Sequence, residues 1–121
     1  MKKILIVDDQ PEVARLLEIV LRREDRQLLF AANGEEGLAA ARTSCPDLVL
    51  LDIMMPGEVD GYEVARRLKK DPATAGVHIL VLTAKVREQD RREAVAAGAD
   101  DFISKPFDII DLKTRVDRVL G

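Results

Sequence analysis

Residues 4–9 read Ile4-Leu5-Ile6-Val7-Asp8-Asp9, and this stretch decides the fold. Four apolar residues run without polar alternation, which suits a strand covered on both faces rather than on one. Such strands belong to parallel sheets flanked by helices. The run then stops abruptly on two carboxylates.

Working outward, similar runs recur at Leu28-Leu29-Phe30-Ala31, Leu48-Val49-Leu50-Leu51, Ile79-Leu80-Val81-Leu82 and the shorter Phe102-Ile103. Each is followed by a segment with helical spacing. Val13, Leu16, Leu17, Val20 and Leu21 fall on one helix face, with Pro11 near its start, where a missing N–H costs nothing. Asn33 with Glu36, and Asp60 with Glu63, read as helix caps with their reciprocal partners. Asp108 caps a last helix whose face carries Ile109, Leu112, Val116, Val119 and Leu120. The fourth helix, from about Arg87 to Ala97, is charged through its first two turns. It is therefore expected to be the least firmly packed, and Gly98 ends it.

Five strands alternating with five helices predict an α/β fold, a parallel sheet with helices on both faces. Right-handed crossovers leave few topologies, and the commonest five-stranded one is flavodoxin-like, in the order 2-1-3-4-5.

Composition sets the bounds. With 121 residues, 47% hydrophobic, the chain is expected to form one domain over residues 1–121, with no linker or internal repeat. Nineteen basic residues against 22 acidic ones show no basic surplus, which argues against direct nucleic-acid binding. A single cysteine, Cys45, excludes an internal disulfide and a cysteine zinc site. The single histidine, His78, excludes a multi-histidine metal cage. No apolar run approaches membrane-spanning length, and the N-terminal run is too short for a signal peptide, so the expected location is cytoplasmic.

The polar residues fall at strand ends. The first strand ends in Asp8-Asp9, the third in Asp52, the fourth in Thr83 and the fifth in Ser104-Lys105-Pro106. In a parallel sheet these positions share the carboxyl edge, where open α/β sheets bind ligands at the reversal of strand order. That reversal lies between the first and third strands, so Asp8, Asp9 and Asp52 are expected to converge. Two like unit charges about 4 Å apart repel by ~4 kcal/mol at an effective dielectric of 20. A hard cation relieves this, and Mg²⁺ suits a site of one or two carboxylates, several waters and a phosphate, with Mn²⁺ as the alternative ion. A carboxylate beside Mg²⁺ can act as a nucleophile toward phosphorus. The transferred group then needs donors and positive charge, which Thr83 and Lys105 supply. Taken singly, each aspartate is more often a turn former or helix cap. Five matching groups at four strand ends carry the argument jointly.

On these residues the sequence resembles the response-regulator receiver domain of two-component signalling. The motifs are Ile4 to Asp9 (ILIVDD), Asp52 to Gly61 (DIMMPGEVDG), Leu82-Thr83-Ala84 and Ser104-Lys105-Pro106-Phe107. The resemblance implies Asp52 as phosphoacceptor. It implies Mg²⁺ held by Asp9, Asp8, Asp52 and the backbone carbonyl of Met54. Lys105, through a cis bond to Pro106, and Thr83 would contact the phosphoryl group. Phe102 would be the switch aromatic, turning inward as Thr83 moves and changing the face formed by the fourth helix, fifth strand and fifth helix. A histidine kinase or histidine phosphotransfer protein would be the donor, and an unknown downstream protein the receiver of the signal. A second copy could dock on that same face, and no membrane or nucleic-acid partner is implied.

Two departures from the pattern stand out. Glu58 and Val59 make the loop before Asp60 one residue longer than usual. Met54 and Lys85 fill variable positions beside the site. The chain carries no output domain, so a single-domain regulator or an excised receiver is expected.

Three other readings compete. A haloacid dehalogenase-type phosphatase also uses a strand-end aspartate with Mg²⁺, but needs a second aspartate where this chain has Met54. A flavodoxin-like carrier needs a phosphate-cradling loop where Asp8-Asp9 would repel the flavin phosphate. A phosphate-independent pseudo-receiver is disfavoured by the intact set of Asp8, Asp9, Asp52, Thr83 and Lys105. Tyr62 is read as packing, His78 as a residue preceding the fourth strand, and Cys45 as a helix-end residue. The charge run Arg87 to Glu93 is read as a solvated face, and Met54 and Met55 as loop packing.

Overall fold

Each apolar run becomes a strand and each amphipathic segment a helix in the computed structural model, which describes residues 1–55, 57–84 and 87–121. Pro56 and Lys85, both singled out above, lie outside the described residues. In chain order the elements are β1 (Lys2–Val7), α1 (Pro11–Leu21), β2 (Arg26–Ala31), α2 (Gly34–Ser44), β3 (Leu48–Leu51), α3 (Gly61–Lys70), β4 (His78–Thr83), α4 (Glu88–Ala97), β5 (Asp101–Ser104) and α5 (Ile109–Leu120). All strand pairs are parallel and the order is β2-β1-β3-β4-β5. His78 is thus the first residue of β4, paired with Leu48, rather than a residue before the strand.

The two-residue period of a strand divides each central run between two cores. Leu5 and Val7, Val49 and Leu51, and Ile79 and Val81 point to one side, where they meet Ala41 of α2, Val64 and Leu68 of α3, and Ala94 of α4. Ile4 and Ile6, Leu48 and Leu50, and Leu80 and Leu82 point to the other, against Leu17 and Leu21 of α1 and Leu112 and Val116 of α5. Both faces are covered, which is why these runs carry no polar alternation.

The edge strand β2 departs from the double burial expected of it. Phe30 is 44% exposed, because β2 has a neighbour only on the β1 side and its end is not fully roofed by α1. On α1, Leu17 and Leu21 are buried but Leu16 is exposed, so the buried stripe is narrower than the spacing suggested. Ile109 at the start of α5 is likewise exposed, while Leu112, Val116 and Leu120 are buried.

The caps form where the sequence placed them. Asn33 accepts from the Glu36 N–H, Asp60 from the Glu63 N–H, and Asp108 from the Ile110 and Asp111 N–H groups. The reciprocal halves differ. The Glu36 carboxylate takes the Asn33 side-chain amide at 2.7 Å, and Glu63 pairs with Arg66 and Arg67. Gly98 ends α4 at φ 110°, a left-handed conformation open to glycine.

The charge run on α4 is not solvated throughout. The Asp90 side chain is only 5% exposed and pairs with Arg87 at 3.3 Å, while the Tyr62 hydroxyl donates to the Asp90 carbonyl at 3.5 Å. Asp90 shares the inward side of α4 with Ala94 and Ala97, so helix geometry carries it under the helix. Tyr62 is buried packing, as its place at the start of α3 suggested.

The longer loop is absorbed by packing. Val59 is buried in the core beside α2, and its carbonyl occupies the space where a β-carbon on Gly34 would stand, 2.3 Å away. Val59 therefore seats on the first turn of α2.

Candidate functional site

The backbone ladder carries the polar residues past the strand ends and fixes them there. The Asp8 N–H donates to the Ala31 carbonyl at 3.0 Å, and the Asp52 N–H to the Val7 carbonyl at 3.0 Å. The Lys105 N–H donates to the Thr83 carbonyl at 2.8 Å, and the Lys105–Pro106 bond is cis. Asp8, Asp52 and Lys105 are thus held by the same parallel hydrogen bonding that builds the sheet, and side-chain placement starts from rigid backbone.

Behind Asp52 the chain turns into α3 at very short range. Gly61 lies against the backbone of Asp52 and Ile53, and its N–H donates to the Ile53 carbonyl at 3.3 Å. Any side chain at residue 61 would push the segment that carries Asp52.

The side chains converge. Asp52 is 4% exposed; its Oδ1 accepts from the Met54 N–H at 3.0 Å and its Oδ2 from Lys105 Nζ at 3.2 Å. Asp8 is also buried; its Oδ1 accepts from the Gln10 N–H at 2.9 Å and its Oδ2 from Lys105 Nζ at 2.9 Å. Asp9 is exposed at the rim, and carboxylate oxygens of Asp8, Asp9 and Asp52 lie within 4.8 Å of one another. Thr83 is fully buried at the end of β4, facing Ser104 in the ladder. A cavity of about 190 Å³ opens between Asp9, Gln10, Asp52, Met54, Ala84 and Lys105.

The electrostatics are unbalanced. Burial pushes the Asp52 carboxyl above its ordinary pKa, and the charge on Asp8 adds to this; the Met54 N–H and Lys105 pull the other way without cancelling it. Among the described residues three carboxylates face one ammonium, which leaves room for a cation. The donor set is all oxygen, and the open cavity leaves space for water ligands. Both properties fit Mg²⁺ or Mn²⁺, which take hard oxygen donors and keep water.

The other residues read from the sequence lie as follows. The Met54 side chain is half exposed at the cavity mouth, whereas Met55 is buried in the core. Phe102 is 8% exposed, packed inward in the core beside β4, with the Arg91 guanidinium 5.8 Å from its ring centre. The ring is already inward here. Between α4, β5 and α5 runs a groove of about 280 Å³, lined by Arg91, Phe102 and Arg115 among others. Cys45 is an exposed helix-end residue with φ 49°. Among the described residues no helix is long and apolar enough to cross a membrane.

Of the residues that shape the site, Gln10 was not singled out from the sequence, and Gly61 and Val59 were read only as part of a motif and of a longer loop. Gln10 contacts Lys105 through its side chain, and Gly61 and Val59 set the backbone after β3. Gln10 carried one signal: it is a polar residue between the acidic pair and the proline that opens α1.

Comparison with known proteins shows the family and the fold. A family model described as the response regulator receiver domain matches residues 4–117. Protein PilH of Pseudomonas aeruginosa is 39% identical over 121 residues, covering all of this chain and 99% of that protein. The DNA-binding dual master transcriptional regulator RpaA of Synechocystis is 40% identical over 120 residues, 99% of this chain but 49% of that protein. The chain therefore spans about half the length of some curated relatives and nearly all of another. A putative response regulator from Chloroflexus aurantiacus superposes with a TM-score of 0.90 at 38% identity, over 98% of this chain and 97% of that one. Chemotaxis protein CheY4 of Vibrio cholerae superposes with a TM-score of 0.89 at 28% identity, over 98% of each chain.

Proposed function

The chain belongs to the response-regulator receiver family, and from that premise we propose that it is a phosphoacceptor switch whose phosphorylated residue is Asp52. The observation that carries the reading is the single ammonium of Lys105 shared between Asp8 and Asp52 at the floor of an open cavity. A nucleophilic carboxylate, a cation site and a positive charge for the transferred oxygens then lie in one place.

Asp8, Asp9, Asp52 and the Met54 backbone carbonyl would hold Mg²⁺, or Mn²⁺ in its place. The bound ion supplies charge neutralisation for the incoming phosphoryl oxygens. Asp52 attacks phosphorus with one carboxylate oxygen. The new O–P bond forms as the bond to the donor breaks, and the donor group leaves. Lys105 pairs with the phosphoryl group, and the Thr83 hydroxyl donates to one of its oxygens. The Met54 N–H keeps Asp52 oriented throughout.

The donor is a histidine kinase or histidine phosphotransfer protein in the cytoplasm. The output is a change in protein contacts at the α4–β5–α5 face, with Phe102 as the aromatic that reports on Thr83, and a second copy of the chain as one occupant of that face. A local charge event thus biases a two-state element, which is the physics of such switches. No turnover of external substrate is involved; the only chemistry is gain and loss of the phosphoryl group on Asp52.

The test is intact-mass spectrometry after incubation with acetyl phosphate, with and without Mg²⁺. The expected result is a Mg²⁺-dependent gain of one phosphoryl group that Asp52→Asn abolishes. A gain of the same size in Asp52→Asn would overturn the assignment.

A further inference from the structure

The Lys105 ammonium has three N–H donors, and each has an acceptor: Asp8 Oδ2 at 2.9 Å, Asp52 Oδ2 at 3.2 Å and Gln10 Oε1 at 3.3 Å. Two of the three acceptors have other work in the reading above, on which this inference rests. Asp8 turns to the cation. Asp52 turns to the cation as well, and is then esterified. Gln10 alone is neither a proposed metal ligand nor a reacting group.

Gln10 is also placed for this by its backbone. It occupies the cap position of α1, yet its side chain makes no capping bond. Its main chain is pinned independently: the N–H donates to Asp8 Oδ1 at 2.9 Å, and the carbonyl accepts from the Val13 and Ala14 N–H groups at 3.1 Å each. The side chain therefore extends from a fixed base across the cavity rim to Lys105. Glutamine is not among the residues that cap helix starts, and here its side-chain oxygen bonds to the lysine.

We infer that Gln10 is a positioning residue that holds Lys105 over the site once the metal and the phosphoryl group have claimed its carboxylate partners. In the metal-free protein its contribution is redundant, because Asp8 and Asp52 hold the ammonium. With Mg²⁺ bound, the Gln10 carbonyl oxygen is the acceptor that keeps Lys105 from swinging into solvent, and so keeps it aimed at the incoming phosphoryl oxygens.

Two variants separate this role from a merely structural one. Gln10→Leu removes the acceptor and keeps the backbone bonds; Gln10→Glu keeps an acceptor at the same reach. Residue 10 is exposed, so neither disturbs the core. The first readout is the initial rate at which acetyl phosphate, with Mg²⁺, phosphorylates Asp52, releasing acetate. Gln10→Leu is expected to slow it about tenfold, the value of one hydrogen bond to a charged group, and Gln10→Glu is expected to restore most of it. The second readout is the Lys105 ammonium signal in side-chain ¹⁵N NMR, which solvent exchange erases when the group is unanchored. It should persist without Mg²⁺ in every variant. With Mg²⁺ it should persist in the wild type and Gln10→Glu and vanish in Gln10→Leu. A Gln10→Leu protein that keeps the signal with Mg²⁺, or reacts at the wild-type rate, overturns the inference, as does a Gln10→Glu protein as slow as Gln10→Leu. If the wild type takes up no phosphoryl group, or Asp52→Asn takes one up, the Asp52 assignment is what fails, and the NMR comparison alone decides whether Gln10 holds Lys105.

Discussion

Gly61 abuts Asp52: a β-carbon on residue 61 would lie 2.5 Å from the Asp52 carbonyl oxygen and 2.5 Å from the Ile53 α-carbon. Both obstacles are backbone, so neither can rotate away. Gly61→Ala would gain up to about 1 kcal/mol of helix propensity at the start of α3. Against this stands overpacking, which costs ~1–3 kcal/mol when surroundings cannot yield. The clash should win. Urea unfolding is expected to show a lower midpoint with an unchanged slope, and the variant should also be phosphorylated more slowly because Asp52 is displaced. A variant as stable as the wild type would mean that the segment after β3 moves freely.

Asp52 should make the metal-free protein more stable in acid than its neighbours alone would. Burial and the Asp8 charge hold its carboxyl above the ordinary value in the folded state. Between the unfolded and the folded pKa, the native state binds more protons than the unfolded one, so this group's contribution to stability falls as pH rises through that window. Asp52→Asn removes the penalty. Without metal it should melt a few degrees higher than the wild type at pH 7, and the gap should close as pH falls below the ordinary carboxylate value. Thermal melts across pH read this directly. A gap independent of pH would assign the effect to packing instead.

Lys105 occupies charge space that a cation would share. Its ammonium pairs with both Asp8 and Asp52 in the metal-free protein. Lys105→Met leaves those carboxylates facing each other without a counter-charge. The metal-free variant should lose ~1–3 kcal/mol, the cost of leaving charged groups unpaired. Mg²⁺ should then raise its melting temperature by more than it raises that of the wild type, since a ligand that binds the native state more tightly stabilises it more. Titrating Mg²⁺ against the thermal midpoint of both proteins measures this. A smaller rise in the variant would show that Lys105 helps to hold the ion.

The reach of the sequence follows the range of the interactions involved. Ile4 to Val7 announced a doubly covered strand because burial on both faces leaves its mark on every residue of the run. Asn33, Asp60 and Asp108 announced helix starts because a cap bonds two or three residues away. Asp8, Asp52 and Lys105 could be brought together because topology alone places strand ends on one edge. What was hidden depends on partners far along the chain. Asp90 looked like one charge in a solvated run, and only the meeting of α4 with Tyr62, 28 residues earlier, explains its burial. Phe30 looked like core until the sheet order put β2 at an edge. Gln10 and Lys105 are 95 residues apart, and a neutral amide carries no charge pattern that would betray the pairing.

The extra loop residue makes the last prediction, and it is a test of coupling. Val59 packs inward, with its carbonyl 2.3 Å and its β-carbon 3.0 Å from where a Gly34 β-carbon would stand. Alanine is otherwise the better residue in a first helical turn, by up to about 1 kcal/mol. In the wild-type loop the contact with the Val59 backbone should reverse that gain, and Gly34→Ala should destabilise by ~1–3 kcal/mol. Deleting Val59 shortens the loop and takes its carbonyl away from α2. The deletion alone should also destabilise, because a buried valine is lost from the core. In the deleted background, however, Gly34→Ala should become neutral or stabilising. The double-mutant cycle therefore predicts a coupling of opposite sign to the two single effects, read from denaturant midpoints. If Gly34→Ala costs the same with and without Val59, the two sites do not touch in solution.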